Sequence, residues 1–113
     1  MRDDKERLRD INEAIEKIEK YVSFGYEAFA EDERTQVWII HHLQLIGEAS
    51  NHLSDELTEG NPDIPWADIV GLRNILVHQY FGIDLRQVWE TAELDMPVLK
   101  AKVRKILQDI NDK

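Results

Sequence analysis

Apolar residues in the opening segment follow one another at alternating three- and four-residue steps: Leu8, Ile11, Ile15, Ile18 and Val22. At roughly 100° per residue this spacing draws one narrow stripe along a helix. Lys5, Glu6, Glu13, Glu16, Lys17 and Lys20 occupy its wet side, and Gly25 is the expected stop. A second stripe, Ile39, Leu43, Ile46, Ala49, Leu53 and Leu57, predicts a longer helix from about Asp32 to about Leu57. Trp38, Ile40 and Leu45 broaden it, so this helix should meet neighbours on more than one side. The run Glu59-Gly60-Asn61-Pro62-Asp63-Ile64-Pro65 reads as a loop. Pro65 or Trp66 then opens a third helix carrying Ile69, Leu72, Ile75 and Leu76, ending near Gln79 or Tyr80 before Gly82.

Asp84 with Gln87 resembles a capping box, followed by a fourth helix presenting Leu85, Val88, Trp89 and Ala92. Asp95 before Met96-Pro97 has the form of another N-cap, starting a last helix with Leu99, Val103, Ile106, Leu107 and Ile110. No segment alternates as a strand would. The expected fold is all-α, an up-and-down bundle of about five helices in a single domain spanning residues 1–113.

Composition agrees. Glycine and proline number only 5 and 3, which disfavours a turn-rich β-sandwich, and 42% hydrophobic with 33% charged residues is a globular balance. There is no cysteine, which excludes disulfides, thiolate chemistry and cysteine-ligated zinc. The charged opening, Met1-Arg2-Asp3-Asp4-Lys5-Glu6, has no apolar stretch behind it, so no secretory signal is expected. The most apolar run, Val37 to Ile46, is interrupted by His41, His42 and Gln44 and is too short to span a bilayer. A cytoplasmic protein without membrane association is the expectation.

The net charge of −9 argues against broad nucleic-acid binding, since phosphate binders are usually basic. The acidity is regional, however. Residues 31–68 hold nine Asp and Glu against Arg34 alone, whereas residues 100–113 hold five Lys and Arg against two Asp. One local phosphate site is compatible with that distribution.

The chemistry-bearing stretch is Gly71-Leu72-Arg73-Asn74-Ile75-Leu76-Val77-His78-Gln79-Tyr80-Phe81-Gly82. On a helical projection Asn74 and His78 lie about 40° apart, and Arg73 and Tyr80 about 20° apart on another side, with Val70 and Val77 between the pairs. A solvated face would not usually collect valines, a tyrosine and a histidine, so a second interface on this side is one explanation. A symmetric dimer would bring two copies of Arg73, Asn74, His78 and Tyr80 together. Within one straight helix Arg73 and His78 diverge by roughly 140°. They converge only if the helix ends near His78 or if a partner chain supplies one of them. The plain alternative is a helix-terminal histidine beside a surface arginine.

The run Arg73-x-x-x-x-His78-x-Tyr80 is similar to the signature of the HEPN superfamily. Its context resembles the HepT-like branch: Ile46-Gly47-Glu48-Ala49 on the second helix, Ile64-Pro65-Trp66 before the third, and Asp84 with Val88-Trp89 after the motif. The resemblance covers essentially the whole chain. It implies a dimeric helical bundle acting as a metal-independent endoribonuclease without a cofactor, commonly the toxin of a pair whose antitoxin is a minimal nucleotidyltransferase. It further implies that Arg73 and His78 are catalytic, that Asn74 and Tyr80 contact RNA or nucleotide, and that Tyr80 is open to AMPylation by the partner.

The residue types suit that chemistry. RNA carries its own nucleophile, the 2′-hydroxyl, and a histidine can accept its proton or protonate the leaving 5′-oxygen. An arginine stays charged and pairs with two phosphate oxygens. His41, His42, Glu48 and His52 invite a metal reading. No two histidines there have His-Glu-x-x-His spacing, so a polar seam between helices is preferred, with Glu48 a buttress of the site. Two other functions fit the same residues: a non-catalytic nucleotide-binding subunit of a nucleotidyltransferase, and a plain dimerisation scaffold.

Overall fold

The computed structural model describes residues 3–78 and 82–111. The first stripe folds as expected into helix α1, Asp4–Val22, whose inward face buries Leu8, Ile11, Ala14, Ile15 and Ile18. Asp3 caps it, its carboxylate accepting from the Glu6 N–H at 2.9 Å. Gly25, with φ of 92°, makes the turn after α1 in a conformation that a side chain would strain.

That turn leads into a short helix that no stripe marked, α2, Tyr26–Glu31. Its anchor is Phe29, fully buried and 5.4 Å in ring-centroid distance from Trp89. Asp32 then caps α3, Glu33–Asn51, accepting from the Arg34 N–H. The expected single helix to Leu57 is broken: the chain leaves the helix at His52, and Ser54 caps a separate α4, Asp55–Gly60. The cause is a competing partner. The Ser54 backbone N–H donates to Asp4 at 2.9 Å, tying this corner to the start of α1. Leu53 and Leu57 still face inward, which is why the stripe runs through the break in phase.

Helix α5 is Trp66–His78, oriented at its start by the Trp66 indole donating to the Asn61 carbonyl at 3.1 Å. Asp84 caps α6, Leu85–Glu90, as expected, accepting from the Arg86 and Gln87 N–H groups. Asp95, by contrast, caps nothing. The helix runs on from α6 through a five-residue π-helical stretch, Thr91–Asp95, into α7, Met96–Asn111. The Met96 N–H reaches back to the Thr91 carbonyl. Pro97 explains the widening: it has no N–H to give, and in a regular helix its ring would crowd the carbonyl of Glu93. Replacing Asp84 with alanine should lower the denaturation midpoint by an amount equivalent to about 0.5–2 kcal/mol, measurable in urea by circular dichroism.

The described residues form an all-α fold without strands. α1 lies between α3 and α7, and α3 between α1 and α5. Trp38 near the start of α3 donates to the Lys17 carbonyl late in α1, so these two helices run antiparallel. Lys100 of α7 pairs with Glu19 of α1 at 2.7 Å. The core threads the interfaces through Ile11, Ile15, Ile39, Ile46, Val88 and Val103. No helix of the described residues is long and apolar enough to cross a membrane.

Candidate active site

α5 carries three of the candidate side chains, and its seat on α3 is set by a glycine. A β-carbon on Gly47 would lie 2.2 Å from the Arg73 β-carbon and 3.2 Å from the Ile69 carbonyl. No side chain fits there, so the two backbones approach closely at this crossing. That brings Arg73 over the next residue of α3, Glu48. The Arg73 Nη2 lies 2.7 Å from Glu48 Oε2, and Arg73 Nη1 donates to Asn74 Oδ1 at 3.0 Å. On its other oxygen, Glu48 Oε1 contacts His52 Nε2 at 2.9 Å, one turn further along α3. The result is a chain of polar contacts, Asn74–Arg73–Glu48–His52, spanning two helices at the protein surface.

The hydrogen bond with His52 is the main influence holding the Glu48 carboxyl below its ordinary range, followed by the positive charges of Arg73 and Arg7. A depressed carboxyl favours the folded, paired state above its ordinary pKa. That contribution fades as the pH falls through the lowered value. Glu48 is therefore ionised and able to pair with Arg73 at neutral pH.

His78 is the last residue of α5 and is exposed. Because α5 is helical through both Arg73 and His78, their divergence of roughly 140° persists within one chain. The structure thus brings Arg73, Asn74 and Glu48 together and leaves His78 apart from them. Tyr80 lies outside the described residues, as do Gln79 and Phe81. Beside Asn74 and His78, Ile75 and Val77 are 47% and 42% exposed, an apolar presentation unusual for a wet helix face.

The histidines of this seam are turned to other partners. His42 is 5% exposed, and its Nδ1 donates to the Trp38 carbonyl at 2.7 Å. Burial lowers its pKa, so it is a neutral core histidine. No group of three or more metal-ligating side chains comes together among the described residues. The polar seam is what the structure contains, with His52 turned to Glu48.

A cleft of about 460 Å³ between α3, α5, the π-helical stretch and α7 has an apolar floor that includes Leu43, Ile46, Leu72 and Leu99. Neither Arg73, Asn74 nor His78 lines it. What sequence reasoning did not reach is the direct Glu48–Arg73 pair and the dependence of that crossing on Gly47. The available signal was the Ile46-Gly47-Glu48-Ala49 run, where a glycine interrupts a good helix beside a carboxylate.

The sequence profile of the family described as Ribonuclease HepT-like matches residues 11–106. Among curated proteins, the chain is 41% identical over 106 residues to the protein named Probable ribonuclease HepT of Thermococcus cleftensis, covering 93% of this chain and 96% of that one. It is 36% identical to a Methanocaldococcus jannaschii protein provisionally named as an RNase, over 99% of this chain and 93% of the relative. A similarly named protein of Caldanaerobacter subterraneus is 36% identical, over 80% of this chain and 81% of its own length. No solved structure matches the chain at a significant level.

Proposed function

The chain belongs to the HepT-like ribonuclease family, and from that premise we propose that it is a metal-independent endoribonuclease whose catalytic residues are Arg73 and His78. The observation that carries the reading is the pairing of an anchored cation with an exposed imidazole on one helix. Arg73 is held by Glu48 with its side chain 30% exposed, and His78 stands open to solvent at the end of α5.

The reaction follows from those groups. The 2′-hydroxyl of the RNA attacks the adjacent phosphorus, forming a 2′,3′-cyclic phosphate and releasing the 5′-oxygen of the next nucleotide. Neutral His78 takes the 2′-proton, or charged His78 delivers one to the leaving oxygen. Arg73 pairs with the non-bridging oxygens as negative charge builds on them. Asn74 orients the guanidinium, and Tyr80 contacts phosphate or base.

Because Arg73 and His78 diverge on α5, the complete site is composite: a two-fold dimer sets Arg73 of one protomer near the histidine of the other. Exposed Ile75 and Val77 supply the apolar contact for that interface. In this reading the protein is the cytoplasmic toxin of a toxin–antitoxin pair. Its partner is a minimal nucleotidyltransferase that covers the site or attaches AMP to Tyr80.

The test is incubation of the purified chain with total RNA in excess chelator. Cleavage that leaves cyclic-phosphate ends is the expected result. Intact RNA from folded protein would overturn the ribonuclease reading in favour of nucleotide binding, with ATP as the next ligand tried.

A further inference from the structure

Glu48 lies outside the Arg73–His78 motif, on a different helix, yet its carboxylate is the anchor of the motif's arginine. Two features converge on it. Gly47 removes the side chain that would hold α5 away, so that the Arg73 β-carbon sits directly over this turn of α3. Glu48 Oε2 then meets Arg73 Nη2 at 2.7 Å, while Oε1 is occupied by His52 at 2.9 Å. Asn74 takes a further N–H from Nη1. The groups acting on Glu48 come from the helices around it: Arg73 on α5, Arg7 on α1 and His52 at the end of its own helix.

A guanidinium on a free side chain samples many rotamers, and ordering it at the moment of reaction is costly. Here that ordering is already built in. Two contacts hold the planar head in one orientation, and among the described residues no further hydrogen bond of its N–H groups is seen, which leaves donors to meet phosphate. Both oxygens of Glu48 are engaged, so the anchor is itself held in place, as supported catalytic groups require.

We propose that Glu48 is the positioning residue for Arg73, fixing the guanidinium so that its unused donors face the scissile phosphate. The chemistry of this role rests on the ribonuclease reading, but the positioning itself does not. Glu48 acts through Arg73 and touches no substrate. Loss of its charge lowers turnover and leaves substrate capture nearly unchanged, because the transition state is more sensitive to misplacement than the ground state.

The test compares the full-length wild type, Glu48→Gln, Arg73→Ala and the double variant on a fluorogenic RNA. Glu48→Gln is expected to lower kcat by at least about tenfold with KM changed less than about twofold. The double variant should be no slower than Arg73→Ala alone, because a positioning residue has nothing left to position. Three results would overturn the proposal: wild-type or faster turnover in Glu48→Gln, a loss confined to KM, or losses that multiply in the double variant.

A second readout needs no activity. In nitrogen-15 spectra the Arg73 side-chain signals should be separately resolved in the wild type and averaged by rotation in Glu48→Gln. If the wild type cleaves no RNA, the ribonuclease reading fails, and this spectrum alone decides about Glu48. Resolved signals that collapse in the variant uphold the positioning role, and signals averaged in both proteins dismiss it.

Discussion

Alanine in place of His78 is expected to slow RNA cleavage by about 100- to 10,000-fold, the range associated with a general acid or base. Unfolding should hardly change. His78 is exposed and ends α5, so its loss removes at most a helix-terminus interaction of about 0.3–1 kcal/mol. The comparison is single-turnover cleavage of one defined RNA by both proteins, alongside their melting curves. Undiminished cleavage by the variant would remove His78 from the mechanism. A mixture gives the sharper result. If Arg73 of one protomer works with the histidine of the other, refolding His78→Ala together with Arg73→Ala creates heterodimers with one intact site in two. Heterodimers form half of a random mixture, so about one quarter of wild-type activity should return. If both groups work within one chain, the mixture stays inactive.

Gly47→Ala is the second substitution with a large expected effect, and it acts on stability and activity together. The new β-carbon would sit 2.2 Å from the Arg73 β-carbon and 2.9 Å from its γ-carbon. The β-carbon is tied to the backbone of α5, so no rotamer change relieves the overlap and the helix itself must move. Overpacking of this kind costs about 1–3 kcal/mol. Alanine returns about 1 kcal/mol through its better helix propensity, leaving a net loss of up to about 2 kcal/mol, which should lower the melting temperature by as much as several degrees. The displacement also lifts Arg73 off Glu48. A shift of about 1 Å at a catalytic group can cost on the order of 100-fold in rate. Calorimetry and the cleavage assay check the two halves separately. A variant as stable and as active as the wild type would mean that the helices do not cross as closely as described.

Much of this was legible in the sequence. The stripe Leu8, Ile11, Ile15 and Ile18 is buried as its spacing requires, because a long amphipathic helix repeats its signal over several turns. α2 was not legible: the six residues Tyr26–Glu31 are too few to establish a period, and nothing in the sequence ties Phe29 to Trp89, 60 positions on, against which it packs. The break before α4 was hidden because Leu53 and Leu57 keep the phase of the stripe, while the contact from Ser54 to Asp4 lies far off in sequence. Asp95 misled for the opposite reason. Asp-Met-Pro has the form of a helix start, yet the chain accommodates Pro97 by widening the helix. At the site, the motif residues could be picked from one helix. The Glu48–Arg73 pair depends on how two helices cross, and only Gly47 hinted that they cross closely.

The position of α5 in the bundle has a consequence for its motions. It buries a single side chain, Leu76, whereas α1 buries five, and it leans mainly on α3. Segments with few fully buried side chains, here Leu76 with Trp66, Ile69 and Leu72 only partly covered, open locally at free energies below that of global unfolding. Amide protons along α5 should therefore exchange with solvent sooner than those of α1, and each opening carries Arg73 out of register with Glu48. Whatever packs on Ile75 and Val77 draws that equilibrium toward the closed form by mass action. The fraction of molecules with an assembled site is then set by the concentration of what binds there as well as by the chain's own sequence.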